Sequence, residues 1–175
     1  LFDTGRKVLI QGEDIIFQGS YSDTLVLPNN GPTLTALPFC QNILLARFNS
    51  VTEELIWFVN IPVLDGDINV HSFDMCDNNN AVCITGTVFG TARLDPNQSA
   101  LSNSAFFAKY SAIDGSLQFV QQIYVPGSFV RCSGSTIDSE GKIWMPCSLG
   151  LSSGSLRITN YFDAQDTTVV PLEDS

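Results

Sequence analysis

Basic residues are scarce in this sequence: eight Lys and Arg stand against eighteen Asp and Glu, for a net charge of −10. The eight are scattered, which excludes the clustered phosphate-tracking patch of a nucleic-acid-binding protein. The same balance speaks against an anionic membrane surface as partner. Histidine occurs once, so any Ser-His-Asp or Cys-His relay would have to pass through His71. No Cys-x-x-Cys pair offers a zinc site. A Gly-rich phosphate loop and a dinucleotide fingerprint are also missing, so no cofactor is expected. No apolar run approaches the ~20 residues of a membrane helix. Apolar positions at helical spacing with caps are missing as well, so essentially no helix is expected. The chain opens at Leu1-Phe-Asp3 without Met or a basic-then-apolar leader. No signal peptide is visible, and it reads as a processed product or a piece of something longer.

What is present is a globular, β-rich composition. Hydrophobic residues make up 44% of 175 residues and charged residues 15%, so a core can form beneath uncharged polar loops. The strongest pattern is a repeat. The stretch Phe106-Phe-Ala-Lys-Tyr-Ser-Ala-Ile-Asp-Gly-Ser-Leu-Gln-Phe119 echoes Leu44-Leu-Ala-Arg-Phe-Asn-Ser-Val-Thr-Glu-Glu-Leu-Ile-Trp57 at a constant shift of 62. A second register at 61 links Asp77, Asn80, Val82 and Ile84 to Asp138, Gly141, Ile143 and Met145. A looser copy places Ile15, Phe17 and Gly19 before Val82, Ile84 and Gly86 at a shift of 67.

In chain order, Val8–Ile10 and Ile15–Gly19 read as a hairpin, and Pro28–Asn42 as loop. Ile43–Phe48 and Leu55–Ile61 flank a turn. Pro62 and Leu64–Asp67 break the pattern before strands Ile68–Cys76 and Ala81–Val88. A polar loop from Ala92 to Ser104 precedes the Phe106 copy, whose return strand is Leu117–Val125. Phe129–Ile137 and Lys142–Cys147 repeat the hairpin, and Leu156–Phe162 starts a third copy of the organising strand. The expected fold is all-β: one domain, 1–175, of antiparallel four-stranded repeats at about 1–61, 62–123 and 124–175. Each sheet would bury its faces on its neighbours, as propeller blades do. Trp57 and Phe119 are the expected packing residues between units.

These motifs resemble the SBBP-type β-propeller repeat of bacterial and large-virus proteins. The carriers are Ile84-Thr-Gly86, Phe107-Ala-Lys-Tyr110, Asp114-Gly-Ser-Leu117 and Asp138-Ser-Glu-Gly141, with fainter echoes at Gly19 and Leu45-Ala-Arg-Phe48. The resemblance implies a repeat protein of a cell surface, secretion or a virion, and implies no activity. Three blades do not close a ring, so the ring is incomplete or is completed by other copies or further sequence.

Candidate chemistry is sparse. Phe2-Asp-Thr-Gly5 matches the aspartic-protease nucleophile motif, but a second Asp-Thr/Ser-Gly is missing, so Asp3 reads as a turn residue. Hairpin register places His71 opposite Gly86, in the slot that Cys132 fills one repeat later; this is a packing position. The same register sets Cys132 opposite Cys147, the favoured disulfide. A Cys76–Cys83 link would be diagonal and is less favoured, Cys40 is left over, and all five cysteines as buried small hydrophobes is the competing reading. Asp65, Asp67 and Asn69 have calcium-loop spacing without the central Gly or the closing Glu, so a solvated turn is favoured there. The functional expectation is a non-enzymatic structural or protein-interaction module, presenting loops 28–42 and 92–104 to other proteins or to copies of itself. The alternative is a carbohydrate-binding propeller with aromatic platforms at Tyr21, Trp57 and Trp144.

Overall fold

The computed structural model describes residues 4–29, 31–76, 80–126, 128–137, 143–149, 155–160 and 167–171. Among them there is no helix. The first sheet is an antiparallel meander of β1 (Thr4–Gln11), β2 (Asp14–Tyr21), β5 (Asn42–Asn49) and β6 (Leu55–Ile61). Two short strands, β3 (Thr24–Val26) and β4 (Thr33–Thr35), form a hairpin arm between β2 and β5. The second sheet repeats the meander with β7 (Val63–Cys76), β8 (Ala81–Ala92), β9 (Leu101–Ser111) and β10 (Leu117–Tyr124). The two meanders coincide with the first two sequence repeats.

Local chemistry explains the shared design. In β5, Ile43 and Leu45 alternate with Leu44 and Ala46, so both faces are apolar and each needs a cover. The β5–β6 and β9–β10 turns are matched at the 62-residue shift. Asn49 Oδ1 accepts the Val51 and Thr52 N–H groups, and Ser111 Oγ accepts those of Ile113 and Asp114. Glu53 takes a positive φ of 59° where the later copy has Gly115 at 73°. The second turn adds Asp114, whose Oδ1 accepts both the Ser116 hydroxyl at 2.7 Å and the Ser116 N–H at 3.0 Å.

The Ser116 hydroxyl, the Ser116 N–H and the Ser111 hydroxyl hold the Asp114 carboxyl down at about 2. A depressed folded value stabilises fully above the ordinary carboxyl value of 3.8 and loses that contribution as pH falls through about 2. A carboxyl-carbon NMR titration is expected to show a midpoint near 2 for this residue, and Asp114→Asn should flatten the stability–pH slope across that window. A midpoint at the ordinary value would refute the turn geometry.

The core lies between the sheets. Ile16, Leu45, Trp57 and Ile61 of the first meet Val82, Ile84, Phe106, Ala108 and Tyr110 of the second in one buried cluster. On its far side the second sheet is covered by the opening hairpin of the third unit. That hairpin comprises β11 (Val130–Cys132) with β14 (Cys147–Leu149), and β12 (Thr136–Ile137) with β13 (Ile143–Trp144). Ile143 and Met145 pack there on Cys83, Phe107 and Phe119, and Val130 and Cys132 on Ala105. Trp57 and Phe119, at equivalent positions, each pack toward the following unit.

The third unit is divided. Its last strands, β15 (Ser155–Asn160) and β16 (Thr167–Pro171), pair onto β10 and widen the second sheet to six strands. Pro146 has no N–H to donate, and Gly134 sits at φ 152°; together they interrupt the hairpin into two short ladders. β15 pairs instead with the edge of β10, as an open strand edge invites.

The long loops also differ from expectation. β7 runs straight through Leu64–Asp67, because Gly66 and Gly90 pair across the ladder at φ 80° and 98°. A Cβ on Gly66 would lie 2.0 Å from the Phe89 carbonyl oxygen, so only glycine permits this crossing. β8 and β9 extend far enough that the loop expected at 92–104 shrinks to 93–100, with Leu94 and Leu101 buried in the core. In place of the loop at 28–42, the β3–β4 arm and its flanks lay Leu25, Leu27, Leu34 and Ala36 over the outer face of the first sheet.

Candidate functional site

The side chains singled out in the sequence do not converge. Tyr21 is buried: its hydroxyl donates to Asn60 Oδ1 at 2.8 Å and accepts from Asn42 Nδ2 at 3.1 Å. Asn42 Oδ1 in turn accepts the Val63 N–H at 2.9 Å, tying the start of the second sheet to the first. Burial raises the Tyr21 phenol, against the hydrogen bonds of Asn42 and Asn60. Trp57 is also buried, with its indole N–H donated to the Ala112 carbonyl at 2.9 Å. Neither ring can serve as a ligand platform, since a core position excludes the ligand's face. Trp144 alone of the three is exposed, at 59%.

His71 is not opposite Gly86. A bulge between Val70 and Ser72 gives that place to Val70 and leaves His71 beside Thr87, Nε2 to Oγ1 3.1 Å. Thr87 is buried and His71 is half-buried beside it. Asp65, Asp67 and Asn69 lie in β7 opposite Thr91, Phe89 and Thr87. That is extended strand, neither a turn nor a loop, and Asn69 Nδ2 donates to Asp67 Oδ2 at 3.5 Å. Among the described residues, no three His, Cys, Asp or Glu side chains gather as a metal set. Asp3 and the Asp138–Gly141 turn lie outside the described residues.

Cys132 and Cys147 face each other and are joined as a disulfide. Cys76 and Cys83 are joined too, across the diagonal, with Cα atoms 6.2 Å apart. This corrects the expectation that the diagonal pair is disfavoured. Cys76 and Cys83 lie on one face, where a diagonal at hairpin twist is still within the Cα range of a disulfide. Cys40 is free and buried. Two disulfides fit an oxidising environment. Among the described residues, no helix is long and apolar enough to cross a membrane.

Three features remain as places where the molecule can act. The first is a clasp. The Ala112 carbonyl, in the turn of the second sheet, accepts from both the Trp57 indole and the Arg47 guanidinium of the first. Arg47 is held by Asp14, Nε to Oδ2 3.0 Å, and Asn49 steadies Asp14 from the other side at 3.1 Å. Gly115 lies against the Trp57 ring so closely that a Cβ there would sit 2.9 Å from Cε3.

The second is the open face of the first sheet. Positions that the second unit buries against the first have apolar counterparts in the first unit, shifted by 62 or 67 residues. Ile15 and Phe17 correspond to Val82 and Ile84, Phe48 to Tyr110, and Phe58 to Val120. In the second unit all of these are at most 1% exposed. In the first, the β3–β4 arm covers only part of the face, leaving Phe58 at 37%, Val8 at 55% and Ile10 at 77%.

The third is a cleft of about 660 Å³ at one end of β9 and β10, closed by the link to the third unit. Ser102, Asn103, Gln122, Tyr124, Ser128 and Phe129 line it, and among the described residues no charged side chain does. Periodicity could not find it, because it joins a strand start, a strand end and a linker. No family model, curated protein or solved structure matches the chain.

Proposed function

We propose that this chain is a non-enzymatic interaction module of stacked, propeller-like repeats, working in a surface, secreted or virion-associated assembly. The carrying observation is the open face of the first sheet. The second unit buries Val82, Ile84, Tyr110 and Val120 of the equivalent face against a neighbouring sheet, and the first presents the corresponding apolar positions only half covered. Exposed apolar surface rimmed by polar residues marks an interaction site. The partner that fits is another four-stranded unit of the same kind, because that is what the equivalent face receives within this chain. The two disulfides agree with an extracellular, cell-surface or virion setting.

The test is self-association and partner mapping. Light scattering across a concentration series should show association of the wild-type protein, or cross-linking in the native source should map a repeat-bearing partner onto Val8, Ile10 and Phe58. Val8→Lys with Phe58→Lys should abolish either contact while leaving thermal melting unchanged, as both side chains are already exposed. A wild-type monomer with no cross-links at this face would overturn the proposal. The carbohydrate reading loses Tyr21 and Trp57 as platforms and has to stand at a different place, the cleft.

A further inference from the structure

We propose that the cleft between the ends of β9 and β10 and the link to the third unit binds a neutral saccharide. Sugars present two kinds of surface, an apolar C–H face and a rim of vicinal hydroxyls, and a site must answer both. Here Tyr124 and Phe129 supply aromatic surface, the latter 55% exposed, while Asn103, Gln122, Ser102 and Ser128 supply amides and hydroxyls that both donate and accept. The volume of about 660 Å³ lies inside the ~300–1,000 Å³ range of small-ligand sites.

The uncharged side chains of the described lining favour this ligand over the obvious competitors. Among the described lining residues a phosphate, carboxylate or sulfate group would meet no Lys or Arg, on a molecule of net charge −10. Among the same residues a cationic ligand would find no carboxylate.

The polar groups are also set in place before any ligand arrives. Asn103 holds a left-handed backbone at φ 42°, which asparagine tolerates better than most residues, and its Oδ1 accepts the Gly90 N–H at 2.9 Å. That bond fixes the amide plane. Gln122 is 7% exposed, and its Nε2 donates to Ser104 Oγ at 2.9 Å. Amides already fixed by the protein lose little freedom on binding, and this lowers the cost that weakens most sugar complexes.

The test uses the intact chain with soluble oligosaccharides, read by titration calorimetry and ligand-observed NMR. The panel contains neutral glucose-, galactose-, mannose- and N-acetylglucosamine-based oligomers beside sialylated, sulfated and uronic acid-containing ones. At least one neutral class should bind at millimolar or tighter concentration, and Phe129→Ala and Asn103→Ala should each weaken it about tenfold. Phe129→Ala should melt at the wild-type temperature, which separates a lost contact from a lost fold. Binding of charged glycans alone, no binding of any neutral sugar, or binding indifferent to both substitutions would overturn the assignment. The outcome is independent of the open face of the first sheet, since Val8→Lys with Phe58→Lys leaves the cleft intact.

Discussion

Trp57→Ala is expected to lower the unfolding free energy by about 4 kcal/mol, the middle of the range for deleting a buried aromatic side chain. Three losses coincide at this residue. The ring leaves a cavity in the cluster between the two sheets. The Ala112 carbonyl loses its indole donor. Gly115, which comes close to the Trp57 ring, then faces empty space. Trp57→Phe separates these contributions, because it keeps most of the ring volume and removes the donor; about 1–2 kcal/mol is expected from it. Chemical denaturation with unchanged m-values is the measurement. If Trp57→Ala cost no more than a surface substitution, the clasp would not be what holds the sheets together.

Reduction of the disulfides is expected to be at least as damaging. In the chain-entropy account, closing the 15-residue separation between Cys132 and Cys147 contributes about 3 kcal/mol, and the 7-residue separation between Cys76 and Cys83 about 2 kcal/mol. Their sum approaches the whole stability of a marginal domain, about 5–15 kcal/mol. Melting with and without reductant, beside Cys132→Ala/Cys147→Ala and Cys76→Ala/Cys83→Ala, should give two unequal losses that add to the effect of reduction. The larger should follow the Cys132–Cys147 pair, since this bond ties β11 to β14 over the outer face of the second sheet. An unchanged melt under reductant would contradict both bonds.

The fold was legible where the repeat was legible. A constant shift between Ala46 and Ala108, or Trp57 and Phe119, requires the same strand pair twice, and the alternation of Ile43–Ala46 requires two covered faces. Hairpin register followed from counting across the turns, and the register of the structure sets Cys132 opposite Cys147. Counting failed where a bulge intervened, at His71, since a bulge is a choice made by packing and leaves no mark in the spacing. It failed again at Leu64–Asp67, where Gly and Asp resemble a turn and the pairing of Gly66 with Gly90 makes them a strand. The match of Trp57 to Phe119 marks it as a packing residue, as the structure has it; the platform reading of Tyr21 and Trp57 fails because an aromatic ring beside polar residues looks the same in sequence whether its polar atom meets a ligand or a buried group. The open face and the cleft were not legible at all. The first needs knowledge of which face the arm covers, and the second unites residues from 102 to 129 that no single period connects.

The widening of the second sheet by β15 and β16 has a consequence for the order in which the molecule assembles. Every pairing in the first sheet is between neighbours in sequence apart from the step over the β3–β4 arm, so residues 4–61 can zip as soon as they leave a ribosome. The second sheet cannot be completed in the same way. The edge of β10 must wait, unpaired, until the whole third hairpin has been synthesised and β15 arrives. That interval leaves a bare strand edge beside exposed Phe107 and Phe119, the stage most open to intermolecular pairing. The hazard in producing this protein thus lies in its middle, during the time its last strands take to appear.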